Sequence, residues 1–121
     1  MGKILIVDDA KLMRNIIKNT LLESEDYEII EAQNGEEAVS LYKDHRPDIV
    51  TMDITMEHRN GLDAAKEILA YDRDAKIIMV TAIGQEKMLM ECVNAGVSDY
   101  IVKPFSKERI ASLISKALQK R

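Results

Sequence analysis

The stretch DIVTMDITMEHRNG, residues 48–61, starts as a buried strand and ends as something else. Ile49, Val50, Thr51 and Met52 form a β-branched and apolar run of the kind that fills a strand interior. Asp53 then puts a carboxylate where another apolar side chain would extend the run. Such a group costs free energy at the end of a buried strand unless a cation or hydrogen bonds compensate it. Glu57, His58 and Arg59 crowd further charge into the loop that follows, before Asn60-Gly61.

Outward from that stretch, short β-branched runs alternate with longer segments of helical period, five of each. The strands read 3–7, 27–32, 48–52, 76–80 and 99–102. Met13, Ile16, Ile17, Thr20 and Leu21 share one face of the first helix. The next three helices gather Ala38, Leu41 and Tyr42, then Ala65, Ile68 and Leu69, then Leu89, Cys92 and Val93. The last buries Ile110, Leu113, Ile114, Ala117 and Leu118. Asn34, with Glu37 three residues later, reads as a helix N-cap, Pro47 as the closure of the turn after that helix, Gly96 as a helix stop and Ser106 as the last N-cap.

Repeated strand–helix units predict an α/β (βα)5 fold with a doubly wound parallel sheet, because parallel neighbours need right-handed crossovers. Strands one, three and four are apolar runs without alternation, so they are expected at the covered centre. In the strand order 2-1-3-4-5, strands one and three are neighbours. Ligands bind beyond the carboxyl ends of strands at that switch point.

Composition bounds the rest. At 121 residues the chain is expected to be one domain, 1–121, large enough to bury roughly two-thirds of its extended surface. A net charge of −4, from 17 basic and 21 acidic residues, argues against a general nucleic-acid binder. The lone Cys92 forms no internal disulfide and suits a reducing cytoplasm. The first apolar run stops at Asp8-Asp9, too short for a signal peptide or membrane span, and Ile6 stands where myristoylation wants Ser or Thr.

The strand ends carry Asp8-Asp9, Asp53, Thr81-Ala82 and Lys103-Pro104. Each has a bland reading by itself: Asp9 as a helix cap, Thr81 as a strand residue, Lys103 as a solvated loop cation. Together they form a set. Strands about 4.8 Å apart would bring Asp8, Asp9 and Asp53 to one edge of the sheet. Two like charges ~4 Å apart at an effective dielectric near 20 repel by about 4 kcal/mol, so three carboxylates call for a cation. A hard divalent ion such as Mg²⁺ fits oxygen ligands without His or Cys. Lys103 adds an ammonium and Thr81 a hydroxyl donor, the groups that phosphoryl transfer to a carboxylate requires. Asp53, central on strand three, is the best nucleophile. A cis bond at Lys103-Pro104 would turn the backbone sharply and aim the lysine into the site.

The segments KILIVDD, NGEEAV, PDIVTMDITM with Asn60-Gly61, KIIMVTA and AGVSDYIVKPF span nearly the whole chain. With them the sequence resembles the receiver domains of two-component response regulators, most of all the single-domain chemotaxis regulators of the CheY type. The resemblance implies a flavodoxin-like fold and a cytoplasmic, monomeric protein that catalyses only its own phosphorylation and dephosphorylation. It implies that Asp53 accepts a phosphoryl group from the phosphohistidine of a sensor histidine kinase. Asp9 would bind Mg²⁺ directly, Asp8 through water, and the backbone carbonyl of Thr55 would join them. Thr81, Lys103 and the Ala82 N–H would hold phosphoryl oxygens. Thr81 and Tyr100 would act as a switch that alters the surface of helix four, strand five and helix five, where a downstream protein docks. Met88 and Met90 flank helix four's buried stripe, and adaptable Met suits either core or partner surface.

The family usually has proline where this chain has Glu57, a change that frees the loop by about 0.4–1 kcal/mol of unfolded-chain entropy. Glu57 could join the acidic cluster as a fourth acid, or pair with His58 and Arg59 at the rim. Thr55 and Ile83 stand at positions that tune phosphoryl lifetime in the family, and neither ionises to orient water, so slow self-dephosphorylation is expected. Rival readings are a phosphorylation-independent pseudo-receiver, an aspartyl-phosphate phosphatase or phosphotransferase, and a flavin module. The second wants a general acid two residues after Asp53, where Thr55 stands, and the third a phosphate loop where Asp8-Asp9 would repel phosphate. With no output domain before Lys120-Arg121, output is expected by reversible protein contact, either with a flagellar motor switch protein or, as a phosphorelay shuttle, with a histidine-containing phosphotransferase. A receiver excised from a longer chain would carry the same signature.

Overall fold

A computed structural model describes residues 2–56 and 59–119. Five strands, β1 (Lys3–Val7), β2 (Glu28–Ala32), β3 (Ile49–Asp53), β4 (Ile77–Thr81) and β5 (Asp99–Val102), alternate with α1 (Lys11–Ser24), α2 (Gly35–His45), α3 (Gly61–Tyr71), α4 (Glu86–Ala95) and α5 (Lys107–Gln119). All neighbours are parallel, in the order β2-β1-β3-β4-β5. The expected doubly wound, flavodoxin-like sheet is what forms. β2 starts one residue later than the expected 27–32, and β3 and β4 shift by one residue against the expected 48–52 and 76–80, so that Asp53 and Thr81 each end a strand.

The pleat sorts side chains to two faces. Leu5, Val7, Val50, Met52, Ile77 and Met79 meet α2, α3 and α4 on one side. Ile4, Ile6, Ile49, Ile78, Val80 and Ile101 meet α1 and α5 on the other. β1, β3 and β4 are thus covered on both faces, while β2 and β5 form partly exposed edges. Burying each large aliphatic side chain contributes roughly 1.5–3 kcal/mol, so this double layer is the main force holding the strand ends in register.

The expected boundary residues do their work. Asn34 accepts the Glu37 N–H, Ser106 accepts that of Arg109, and Gly96 ends α4 in the left-handed region at φ 114°. Two expected faces are corrected. Ile16 and Val93 are each 42% exposed, because α1 and α4 lie against the sheet along narrower stripes centred on Ile17 and Cys92. Asp9 does not cap α1. Its N-cap position is Ala10, whose N–H donates to Asp8 Oδ1 at 2.8 Å. No helix among the described residues is long and apolar enough to cross a membrane.

Candidate functional site

Register builds the site. Val7 pairs with Met52, Asp53 with Val80, and Thr81 with Val102, so the residues ending or following four central and edge strands lie side by side. Asp8, Asp9 and Asp53 each offer a carboxylate oxygen within 4.8 Å of the other two. Asp8 and Asp53 are buried and Asp9 faces solvent. The Lys103–Pro104 bond is cis. The Lys103 ammonium lies 3.2 Å from Asp53 Oδ1 and 3.9 Å from Asp8 Oδ2, while its backbone N–H donates to the Thr81 carbonyl at 2.7 Å.

One ammonium does not balance three acids, and the ionisation equilibria register this. Burial, then the charge of Asp8, push Asp53 up to about 6 despite Lys103. Burial likewise raises Asp8, against the Ala10 N–H and Lys103. Asp8 Oδ2 has no hydrogen-bond partner among the described residues. A buried carboxylate oxygen without a hydrogen bond, beside two more acids, suits a hard divalent cation, which takes oxygen ligands and restores charge balance.

Gly61 lets the start of α3 pack closely against the backbone at the end of β3. Its N–H donates to the Ile54 carbonyl at 2.6 Å, and a Cβ there would stand 2.0 Å from the Asp53 carbonyl oxygen. Asn60 caps α3 through the Asp63 N–H. Glu57 and His58 lie outside the described residues. Arg59 pairs with Glu67 of α3.

A chain in which these strand ends converge, and which a model of the response regulator receiver domain matches over residues 4–115, leaves one assignment. The chain belongs to the response regulator receiver family. The receiver is 48% identical over 116 residues to the chemotaxis protein CheY of Bacillus subtilis, covering 96% of this chain and 97% of that one. It is 51% identical over 118 residues to the CheY of Thermotoga maritima, covering 96% and 98%. Among solved structures, the receiver domain of NtrX from Brucella abortus superposes with a TM-score of 0.91 at 25% identity, covering 98% of this chain and 99% of that one. Vibrio cholerae CheY4 superposes at 0.88 with 26% identity, covering 97% and 98%.

The remaining expected residues of the receiver divide. Thr81 is buried at the end of β4, next to Ala82. Tyr100 is 43% exposed on β5, away from the acids. Beside Thr81 a pocket of about 260 Å³ is lined by Thr81, Ala82, Ile83, Glu86, Leu89 and Val102, and Tyr100 lines a separate one with Phe105 and Arg109. Thr55 is exposed, and its hydroxyl meets the side-chain amide of Gln85.

Two site residues escaped sequence reasoning. Arg14 of α1 is buried, donates from Nη1 to the Asp8 carbonyl at 2.7 Å, and pairs through Nε with Glu31 at 3.1 Å. Burial pushes Glu31 up, but Arg14 and Lys18 outweigh it and hold that carboxyl below its usual range. Gln85 accepts the Ala82 N–H at 2.7 Å and the Thr81 hydroxyl at 3.2 Å on its Oε1. Gln85 stands four residues after Thr81 at the head of α4, a spacing that could have pointed to it. Arg14 leaves no such trace.

Proposed function

We propose that the whole chain, 1–121, acts as one receiver domain phosphorylated on Asp53 by a sensor histidine kinase, and that it signals by phosphorylation-dependent protein binding. The observation that carries this reading is a buried Asp53 carboxylate 3.2 Å from the Lys103 ammonium, with Asp8 and Asp9 beside it. At pH 7 a carboxyl titrating near 6 is ionised in roughly nine copies of ten, so the nucleophile is available.

In the reaction an Asp53 carboxylate oxygen attacks the phosphorus of a phosphohistidine in line. An O–P bond forms as the P–N bond breaks, and the imidazole leaves with the electron pair. Lys103 is in reach to neutralise charge gathering on the equatorial oxygens, and the Thr81 hydroxyl and Ala82 N–H are donors for the same oxygens. Asp8, Asp9, Asp53 and the Thr55 carbonyl would hold Mg²⁺, which supplies charge neutralisation of the phosphoryl group when bound. Lys103, just after β5, already stands beside Asp53, so its charge needs little repositioning at transfer.

The pocket beside Thr81 supports a switch. Movement of Thr81 toward a phosphoryl group would leave room that the Tyr100 ring can enter, changing the face made by α4, β5 and α5. The CheY relatives favour chemotaxis as the pathway, with a flagellar motor switch protein as target and the cytoplasm as location. Incubation with Mg²⁺ and acetyl phosphate should add one phosphate, lost in Asp53→Asn; wild type that stays unmodified refutes the assignment. A pull-down with and without beryllofluoride reads the target, and retention of a histidine phosphotransferase instead of a motor protein would replace chemotaxis by a phosphorelay.

A further inference from the structure

The two donors assigned above to phosphoryl oxygens already have an acceptor. Gln85 Oε1 takes the Ala82 N–H at 2.7 Å and the Thr81 hydroxyl at 3.2 Å. The other end of the same amide donates from Nε2 to the Thr55 hydroxyl, on the loop two residues beyond Asp53. The side chain therefore bridges the loop after β3 and the loop after β4.

We infer that Gln85 is an internal stand-in for a phosphoryl oxygen, an autoinhibitory contact that phosphorylation of Asp53 must displace. The inference rests on the phosphoacceptor reading of Asp53. An N–H has one hydrogen to give, and a 2.7 Å bond already takes it. A phosphoryl oxygen arriving at the same donors must evict the amide carbonyl. The chemistry of the occupant explains the choice of residue. A neutral amide satisfies donors that would otherwise stand open at a strand end, yet adds no negative charge to a cluster that already holds three carboxylates.

Displacement has a second effect, because Gln85 occupies the N-cap position of α4. It does so with its side chain spent elsewhere: no side-chain cap bond forms, and its backbone carbonyl accepts the Leu89 N–H at 3.0 Å. Evicting the amide frees the side chain of the residue that opens α4 and releases Thr55 at the same moment. One side chain thus couples occupancy of the phosphoryl site to the start of the helix on the proposed output face. Gln85 is a positioning residue in this scheme, not a catalytic one.

Beryllofluoride, added with Mg²⁺, tests the competition at equilibrium, with binding followed by amide NMR at Ala82 and Gly84. Gln85→Ala should bind beryllofluoride about tenfold more tightly than wild type, the worth of one to two net hydrogen bonds. Its Ala82 amide should lose its low-field shift in the free protein and exchange faster with solvent. Gln85→Glu should move the other way, binding at least tenfold more weakly, because a carboxylate holds the Ala82 N–H by a charge-assisted bond and repels the incoming anion. A residue that only supports α4 would shift both variants in the same direction, and that result overturns the inference. So does equal affinity of wild type and Gln85→Ala. Wild type that fails to bind beryllofluoride, or binds it equally after Asp53→Asn, overturns the phosphoacceptor reading itself.

Discussion

Replacing Asp53 by Asn should stabilise the metal-free protein at neutral pH, although it removes the partner of Lys103. Asp53 is 6% exposed, so solvent does little to screen its charge. Its carboxyl is raised from 3.8 to about 6, and two pH units correspond to about 3 kcal/mol of extra cost for ionising it in the folded state. That figure already includes the attraction of Lys103, which opposes burial and the charge of Asp8. Asn is nearly isosteric and neutral, so the expected gain is roughly 2–3 kcal/mol, read as a rise of about 1–1.5 M in the urea midpoint at pH 7.5 with EDTA. The pH dependence has a definite sign. The folded protein binds the Asp53 proton more tightly than the unfolded chain does, so wild-type stability should increase as pH falls from about 7 toward 4, through the folded value near 6. The variant should show a shallower rise, left by Asp8, whose carboxyl is also raised. Added Mg²⁺ should narrow the gap by stabilising wild type more than the variant. Coincident urea curves in EDTA, or a variant less stable than wild type there, would refute the account of Asp53 as an under-compensated charge.

Arg14→Ala should cost roughly 2–3 kcal/mol in urea unfolding, since it strands the Asp8 carbonyl and leaves Glu31 with Lys18 alone; an unchanged midpoint would contradict a bracing role. Gly61→Ala should lose at least about 3 kcal/mol, because the new Cβ meets the Asp53 backbone oxygen, which no side-chain rotation can move aside. Its thermal midpoint should fall below that of Gly84→Ala, where no atom lies within 4 Å of the added carbon and the cost is the positive φ of 99° alone, about 1–2 kcal/mol, and similar losses in both would count against a steric clash at Gly61. Burial and then Glu91 push the Cys92 thiol up to about 11, so at pH 8 only about one copy in a thousand is a thiolate. Alkylation by iodoacetamide should therefore follow the urea unfolding curve, and rapid labelling of the native protein would show that α4 opens locally.

The fold was legible because its signals are periodic and short-range. β-branched runs, caps at Asn34 and Ser106 and the stop at Gly96 each act within a few residues, and the switch-point rule then located the acids. Asp8, Asp53, Thr81 and Lys103 were legible as a group because they sit at strand ends, where register alone brings them together. Ile16 and Val93 misled because an apolar residue beside a buried stripe has the right period whether or not the neighbouring element reaches it. Arg14 and Gln85 were hidden for another reason. Arg14 meets Glu31 and Gln85 meets Thr55 by tertiary approach, and a polar residue on a helix carries no mark of which distant atom it will meet; only the short spacing of Gln85 from Thr81 and Ala82 left a local trace.

The way the site is divided among strands has a practical consequence. Asp8, Asp53, Thr81 and Lys103 come from four different strands, and a one-residue slip of any strand would turn its contribution to the opposite layer. On the proposed phosphoacceptor function, uptake of a phosphoryl group would therefore be a reporter of strand alignment. In a refolding experiment it would separate correctly threaded molecules from collapsed ones that have regained helix and strand content but not their pairing.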